Sequence, residues 1–280
     1  MQKNSPASCV TVNRDLLVCD LDGTLIDEKG TLDPALVAAF HRAASRGLLI
    51  SLATGRMPQT ADRYRDELAI TAPMIFYNGA LIRDPVSGQN LLSLVLPRGV
   101  LARAYEVFAR APVDPLFYRD ERLYCLELSL PIRGFCDEEG LRANVIPDPA
   151  RFLAQGAFVK GLFMGHPDVL PVLRQELDDI VGAEARLVRS HRRYLELLPA
   201  NASKGHALAA LAQHVGVPLE RVVAVGDQEN DLEMIRAAGT GVAMPRAPES
   251  IRVAADRVAP SPDDGGLLAL FRELLPDYFD

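Results

Sequence analysis

Short apolar runs, each ended by polar or charged residues and each followed by a helical pattern, constrain this chain more than any other feature. The first run, 16–20, leads into VCDLDGTLID (18–27) and is ended by Gly23, which predicts a strand buried on both faces. The 34–46 segment follows, with Leu36, Val37, Phe40 and Ala44 at helical spacing, Asp33 or Thr31 as cap and Gly47 as stop. Residues 48–53 repeat the strand, 57–68 the helix, and 74–77 make a third strand leading into Asn78-Gly79. Strand-helix-strand units of this length imply a parallel sheet.

Turn residues at Arg83-Asp84-Pro85-Val86-Ser87-Gly88 interrupt the alternation. Beyond them strands at 122–128 and 158–164 mix with helices at 100–110 and 168–180. After 194–197 the alternation resumes, with helices at 204–215 and 232–238 and strands at 222–225 and 240–243. The expected organisation is a flexible N-terminal segment (1–14), a Rossmann-like α/β core of parallel strands with helices on both faces (15–85 and 191–280), and an inserted α+β cap domain (86–190). A chain of 280 residues, 49% hydrophobic, can bury both cores, at roughly 150 residues per domain.

Charge narrows the function classes. The net charge is −7 and no long lysine or arginine run is present, which disfavours a nucleic-acid backbone or an anionic membrane as partner. MQKNSPASCVTVNR lacks the apolar stretch of a signal peptide, and no apolar run approaches the ~20 residues of a membrane span. A cytoplasmic protein, monomer or homodimer, is expected. The four cysteines form no C-x-x-C pair, and Cys19 reads as a small buried hydrophobe, so neither a structural disulfide nor a zinc site is expected. His41, His166, His191, His206 and His214 are scattered without ligand spacing, and Asp27, Glu28, Asp178 and Asp179 read as solvated.

Strand alternation puts Asp20 and Asp22 on one side where the first strand ends, at the carboxyl edge where open parallel sheets bind ligands. Two carboxylates there repel unless a cation holds them, and oxygen donors with a water shell suit magnesium. Gly23 permits a sharp turn and Thr24 adds a hydroxyl; the bland alternative is a solvated acidic turn. A second acidic pair, Asp227 and Asp231, follows the apolar strand in AVGDQENDLEM. On neighbouring strands, Asp20, Asp22 and Asp227 can share one metal while Asp231 orients a partner; otherwise Asp231 is a helix-start acid favoured by the dipole. LATGR offers Thr54, Gly55 and helix-start amides to an anion, unless Thr54 is only a cap. In NASKG, Lys204 sits at a helix start, where a cation opposes the dipole and calls for a phosphate or aspartate partner.

These four ordered blocks resemble the haloacid dehalogenase-like hydrolase superfamily, and more narrowly its Cof-type phosphatases with a large inserted cap. DLDGTLID is similar to the first family motif, LATGR to the second, SKG to the third and GDQENDLEM to the fourth, while YNGALI resembles the segment preceding the cap. The resemblance implies that Asp20 is the nucleophile forming an aspartyl-phosphate and Asp22 the acid/base. It further implies magnesium on Asp20, Asp227 and the backbone carbonyl of Asp22, Thr54, Gly55 and Lys204 on the phosphoryl oxygens, Asn230 as a phosphate contact, and Asp231 supporting the metal or Lys204. Phosphate-monoester hydrolysis can need acceleration of up to ~10²¹-fold, roughly 28 kcal/mol, which one acid/base pair does not supply; charge stabilisation must carry much of it.

Three functions follow as expectations: a magnesium-dependent phosphatase of small phosphorylated metabolites such as sugar phosphates, phosphorylated cofactors or nucleotides, a phosphomutase or phosphotransferase using the same intermediate, or a non-catalytic sensor of such a metabolite. The Ser190-His191-Arg192-Arg193 cluster reads either as a solvated hinge or as a greeting for an anionic substrate.

Overall fold

The computed structural model describes residues 14–27 and 29–280; most of the expected flexible segment, Cys9 and Glu28 lie outside the described residues. A five-stranded parallel sheet orders its strands Arg257–Val258, Thr240–Ala243, Val222–Gly226, Leu16–Cys19, Leu49–Leu52. Leu16–Cys19 is thus an inner strand, which explains its continuous apolar run. Leu17 and Cys19 join a cluster with Phe40, Phe271 and Phe279 on one face. Leu16 and Val18 join Leu208, Leu211 and Met234 on the other. This period-two division covers both faces of the sheet. The helix Pro34–Ser45 starts as its sequence predicts, with the Asp33 carboxylate accepting from Ala35 N at 2.8 Å and Pro34 in the first turn.

Met74–Phe76 joins the parallel sheet through an isolated bridge between Ala53 and Ile75. It then pairs antiparallel with Leu81–Arg83, and that strand with Asn90–Ser93. Residues expected to open the cap therefore form a hairpin beside the core; the Asp84–Gly88 turn is its tip, with Asp84 Oδ1 accepting from Ser87 N at 2.6 Å.

The cap holds a six-stranded sheet in the order Ala185–His191, Tyr194–Pro199, Lys160–Gly165, Val113–Arg119, Arg122–Cys125, Ala143–Val145. Tyr194–Pro199 pairs antiparallel with both Ala185–His191 and Lys160–Gly165, so the chain leaves the cap sheet at Pro199, not at the expected 191. The polar residues taken for a domain junction are a hairpin turn within that sheet. One face carries the helices Val100–Phe108, Pro149–Gln155 and Leu170–Val181 over Phe117, Phe158 and Phe163. The other face, with Leu116, Tyr118, Leu162 and Met164, merges into the core cluster, and the Tyr118 ring lies 5.8 Å from Tyr77. The helix Leu130–Glu139 packs on this second face through Ile132 and Cys136. Cys19, Cys125 and Cys136 are free thiols. No helix among the described residues is long and apolar enough to cross a membrane.

Candidate active site

Asp20 follows directly on the inner strand, its N–H donating to Val225 O at 2.8 Å and its side chain almost wholly buried. Lys204 opens the helix Lys204–Val215, which Ser203 caps by accepting from His206 N at 3.0 Å. Its Nζ lies 2.6 Å from Asp20 Oδ1 and 2.6 Å from Asp231 Oδ1, with none of the side chain exposed. Two carboxylates therefore supply what a cation at a helix start lacks. Burial opposes the ammonium charge, yet Asp20 and Asp231 together hold Lys204 above the ordinary lysine range. The second oxygen of Asp231 accepts from the N–H groups of Asp227 and Gln228, both at 3.0 Å. Asp231 thus orients the lysine and closes the turn after Val222–Gly226.

Carboxylate oxygens of Asp20, Asp227 and Asp231 lie within 4.8 Å of one another, all three residues buried. Lys204 offsets only part of that charge. Burial and the neighbouring Asp231 push Asp227 up to about 6, and burial with Asp231 raises Asp20 well above the carboxylate range against the pull of Lys204. An all-oxygen donor set short of positive charge fits magnesium and not a thiolate- or imidazole-seeking metal. The loop is shaped to approach this group: Gly23 has φ +79°, and a Cβ there would lie 2.5 Å from Asp227 Oδ2. Thr24 and Gln228 donate to the two oxygens of Asp227 at 3.4 and 2.8 Å.

Asp22 stands apart. Its side chain is half exposed and accepts two bonds from Arg56, Nε to Oδ2 at 2.9 Å and Nη2 to Oδ1 at 2.8 Å. Its carboxylate is therefore outside the acidic cluster, leaving only its main chain to face a metal. Arg56 Nη1 continues to Glu139 of the cap at 2.6 Å. Neither Arg56 nor Glu139 is among the site residues expected from sequence; the arginine at a strand end is the available signal.

Thr54 is fully buried, with its Oγ1 accepting from Arg56 N at 3.1 Å. Gly55 is tight against Asn78, whose carboxamide lies 3.1 Å from where a Cβ would be. Asn230 donates through Nδ2 to Asn78 Oδ1 at 2.8 Å, so its amide faces Asn78, while its own Oδ1 is buried without a partner among the described residues. The Ser190-Arg193 cluster is the tip of the cap hairpin, not a hinge, and the His191 ring lies 4.8 Å from Tyr194.

The chain matches the haloacid dehalogenase-like hydrolases over residues 17–271. An HMP-PP phosphatase of Cronobacter sakazakii is 32% identical over 81% of this chain and 83% of its own. A chloroplastic endoribonuclease YBEY of Arabidopsis thaliana is 28% identical over 91% of this chain, which spans only 46% of that longer protein. The crystal structure of a haloacid dehalogenase-like hydrolase from Bacteroides thetaiotaomicron superimposes with a TM-score of 0.82 at 27% identity, covering 93% of this chain and 99% of that one. With nine-tenths of the chain matched, and Lys204, Asp227 and Asp231 gathered around Asp20, the protein belongs to the haloacid dehalogenase-like hydrolase family.

Proposed function

We propose that the protein is a magnesium-dependent phosphatase of small phosphorylated metabolites that works through an aspartyl-phosphate on Asp20. The observation that carries this reading is Lys204, sealed between Asp20 and Asp231 at 2.6 Å from each, while Asp20 Oδ2 takes no hydrogen bond among the described residues. One carboxylate oxygen is fixed and the other is left for attack on phosphorus. Covalent capture splits one hard displacement into two easier ones. Asp20, Asp227 and the backbone carbonyl of Asp22 would hold a magnesium ion, which would supply positive charge beside the phosphoryl oxygens.

The remaining work falls to this chain's own groups. Lys204 and the Thr54 hydroxyl meet the equatorial oxygens, where charge gathers in the transition state. Asp22, oriented by Arg56, gives a proton to the leaving alcohol and later takes one from the attacking water. The cap face carrying Glu139, Tyr194 and His191 covers the leaving-group side and excludes bulk water.

The test is release of inorganic phosphate from a panel of phosphorylated metabolites, HMP-PP included, with magnesium or EDTA, for wild type and Asp20→Asn. Magnesium-dependent release that falls by at least about 10³-fold in the variant supports the reading. Full activity in Asp20→Asn, or binding without release by the wild type, defeats it; transfer to an added acceptor sugar in place of release identifies a phosphotransferase.

A further inference from the structure

The segment Tyr77-Asn78-Gly79 plays no part in the chemistry above, yet its backbone is strained. Its φ angles are 51°, 54° and 98°, the left-handed region, where a bulky aromatic followed by a second non-glycine residue is rare. The surroundings hold it there. Tyr77 N donates to Arg56 O at 3.1 Å and Asn78 N to Thr54 O at 3.0 Å. On the other side a Cβ on Gly79 would lie 2.1 Å from Ser203 O, just before Lys204. The turn is wedged between two of the loops that define the site.

Asn78 is buried, and its carboxamide joins three parts of the molecule. Nδ2 donates to Glu196 Oε2 of the cap at 2.7 Å, and Oδ1 accepts from Asn230 at 2.8 Å. Glu196 also accepts from Ser190 Oγ at 2.5 Å and pairs with Lys160 Nζ at 2.9 Å. Lys160 donates in turn to Gly55 O at 3.0 Å and lies 4.8 Å from the centre of the Tyr118 ring. Both charged side chains are 4% exposed. A buried ion pair is seldom more stabilising than apolar residues of the same size, so two charges inside two apolar cap strands call for another reason.

The Gly55–Arg56 peptide supplies one. Its C=O accepts from Lys160, and its N–H, on the opposite side of the same planar trans unit, donates to Thr54 Oγ1. With that lone pair occupied, the Thr54 hydroxyl proton is directed elsewhere, and the residue after the peptide carries the guanidinium that orients Asp22. The orientation of a single peptide therefore fixes both Thr54 and Arg56, and it is held from the cap.

We propose that Asn78, Glu196 and Lys160 are positioning residues that make the phosphate-binding geometry of the 54–56 turn depend on docking of the cap. This rests on the phosphatase reading. The anion site is complete only while the cap's buried pair is engaged with Gly55 and Asn78. A substrate that favours the docked cap thereby tightens its own phosphate contacts.

The experiment compares wild type with Lys160→Met, Lys160→Met/Glu196→Gln and Asn78→Gly. Affinity for inorganic phosphate is measured by calorimetry with magnesium, alongside kcat, KM and the unfolding midpoint. Asn78→Gly keeps the left-handed backbone without strain and removes only the carboxamide; the double variant removes the charge that Lys160→Met strands. The expected result is phosphate binding and kcat/KM weakened about 10- to 100-fold in all three, with the double variant regaining the midpoint lost by Lys160→Met but not the affinity. Where the single variant does not fold, the other two carry the test. Affinity that recovers together with the midpoint, or wild-type affinity in Asn78→Gly, shows the network to be mere cement and overturns the proposal. Unaffected variants of an active wild type sink this inference alone; a wild type that neither binds nor releases phosphate sinks the phosphatase reading and this with it.

Discussion

Arg56 grips Asp22 at two points, 2.9 and 2.8 Å, and gives its remaining terminal nitrogen to Glu139 of the cap at 2.6 Å. A fork of two parallel N–H···O bonds fixes the plane of a carboxylate as well as its place. Burial raises Glu139 above the ordinary carboxylate range against the pull of Arg56. The acid/base candidate is thus oriented by a core residue that the cap also holds.

Arg56→Lys keeps the charge but loses the fork, and kcat/KM is expected to fall about 10-fold or more, with about 100-fold for Arg56→Ala. Glu139→Gln, which retains an acceptor for Nη1, has a smaller effect. Steady-state kinetics on the best substrate of the panel decide the matter. Wild-type kcat/KM in Arg56→Ala would mean that Asp22 needs no orientation from this residue.

Asp227 gives a pH signature. Its folded value of about 6 lies above the ~3.9 of an unfolded aspartate, so it binds its proton more tightly when folded. The stability it contributes in metal-free protein is full below about pH 4, is lost as pH rises to about 6, and stays lost above. In EDTA, Asp227→Asn should therefore gain on wild type between pH 4 and 6 and hold that lead at pH 7.5. Magnesium, binding only where Asp227 is ionised, should reverse the order at pH 7.5. Thermal unfolding of both proteins across pH 4–7.5 reads the crossing, and a difference that does not change with pH refutes the account.

Lys204 is the sole cation at three buried carboxylates among the described residues, so Lys204→Met strands Asp20 and Asp231 against each other. Removing one member of such a group costs about 3–5 kcal/mol. Denaturant unfolding in EDTA measures the loss, and magnesium is expected to restore part of it by taking over the positive charge. A variant as stable as wild type in EDTA contradicts this.

The core and the loops around Asp20 were legible because each signal is local. An inner strand must be apolar on both faces, and its polar stop must fall at the sheet edge, so Asp20, Thr54 and Asp227 could be placed from their own neighbourhoods. Lys204 was flagged by a conflict with the helix dipole, and the structure resolves that conflict with two carboxylates. The cap boundaries were misread because a hairpin turn and a domain junction use the same residues: Asp84–Gly88 and Arg192-Arg193 differ from linkers only in what pairs beyond them. The cap partners of Arg56 and Asn78, Glu139 and Glu196, lay 83 and 118 residues away, a separation over which no periodicity carries information. Lys160 and Glu196 did leave a trace, one charge inside each of the apolar runs FVKGLFMG and YLELLP.

Gly79 offers the last test, of the wedge between the strained turn and the loop before Lys204. Its φ of 98° is unfavourable for any side chain, and a Cβ would meet Ser203 O at 2.1 Å, a backbone atom that cannot swing aside. Gly79→Ala must displace either the turn or the start of the lysine helix. A loss of about 3 kcal/mol or more is expected, together with lower phosphate affinity even where the protein remains folded. Gly47→Ala, also at positive φ but with nothing within 4 Å of its Cβ, serves as the control for backbone strain alone. Equal losses of stability and no loss of phosphate affinity in the two variants would show that the packing against Ser203 does not shape the site.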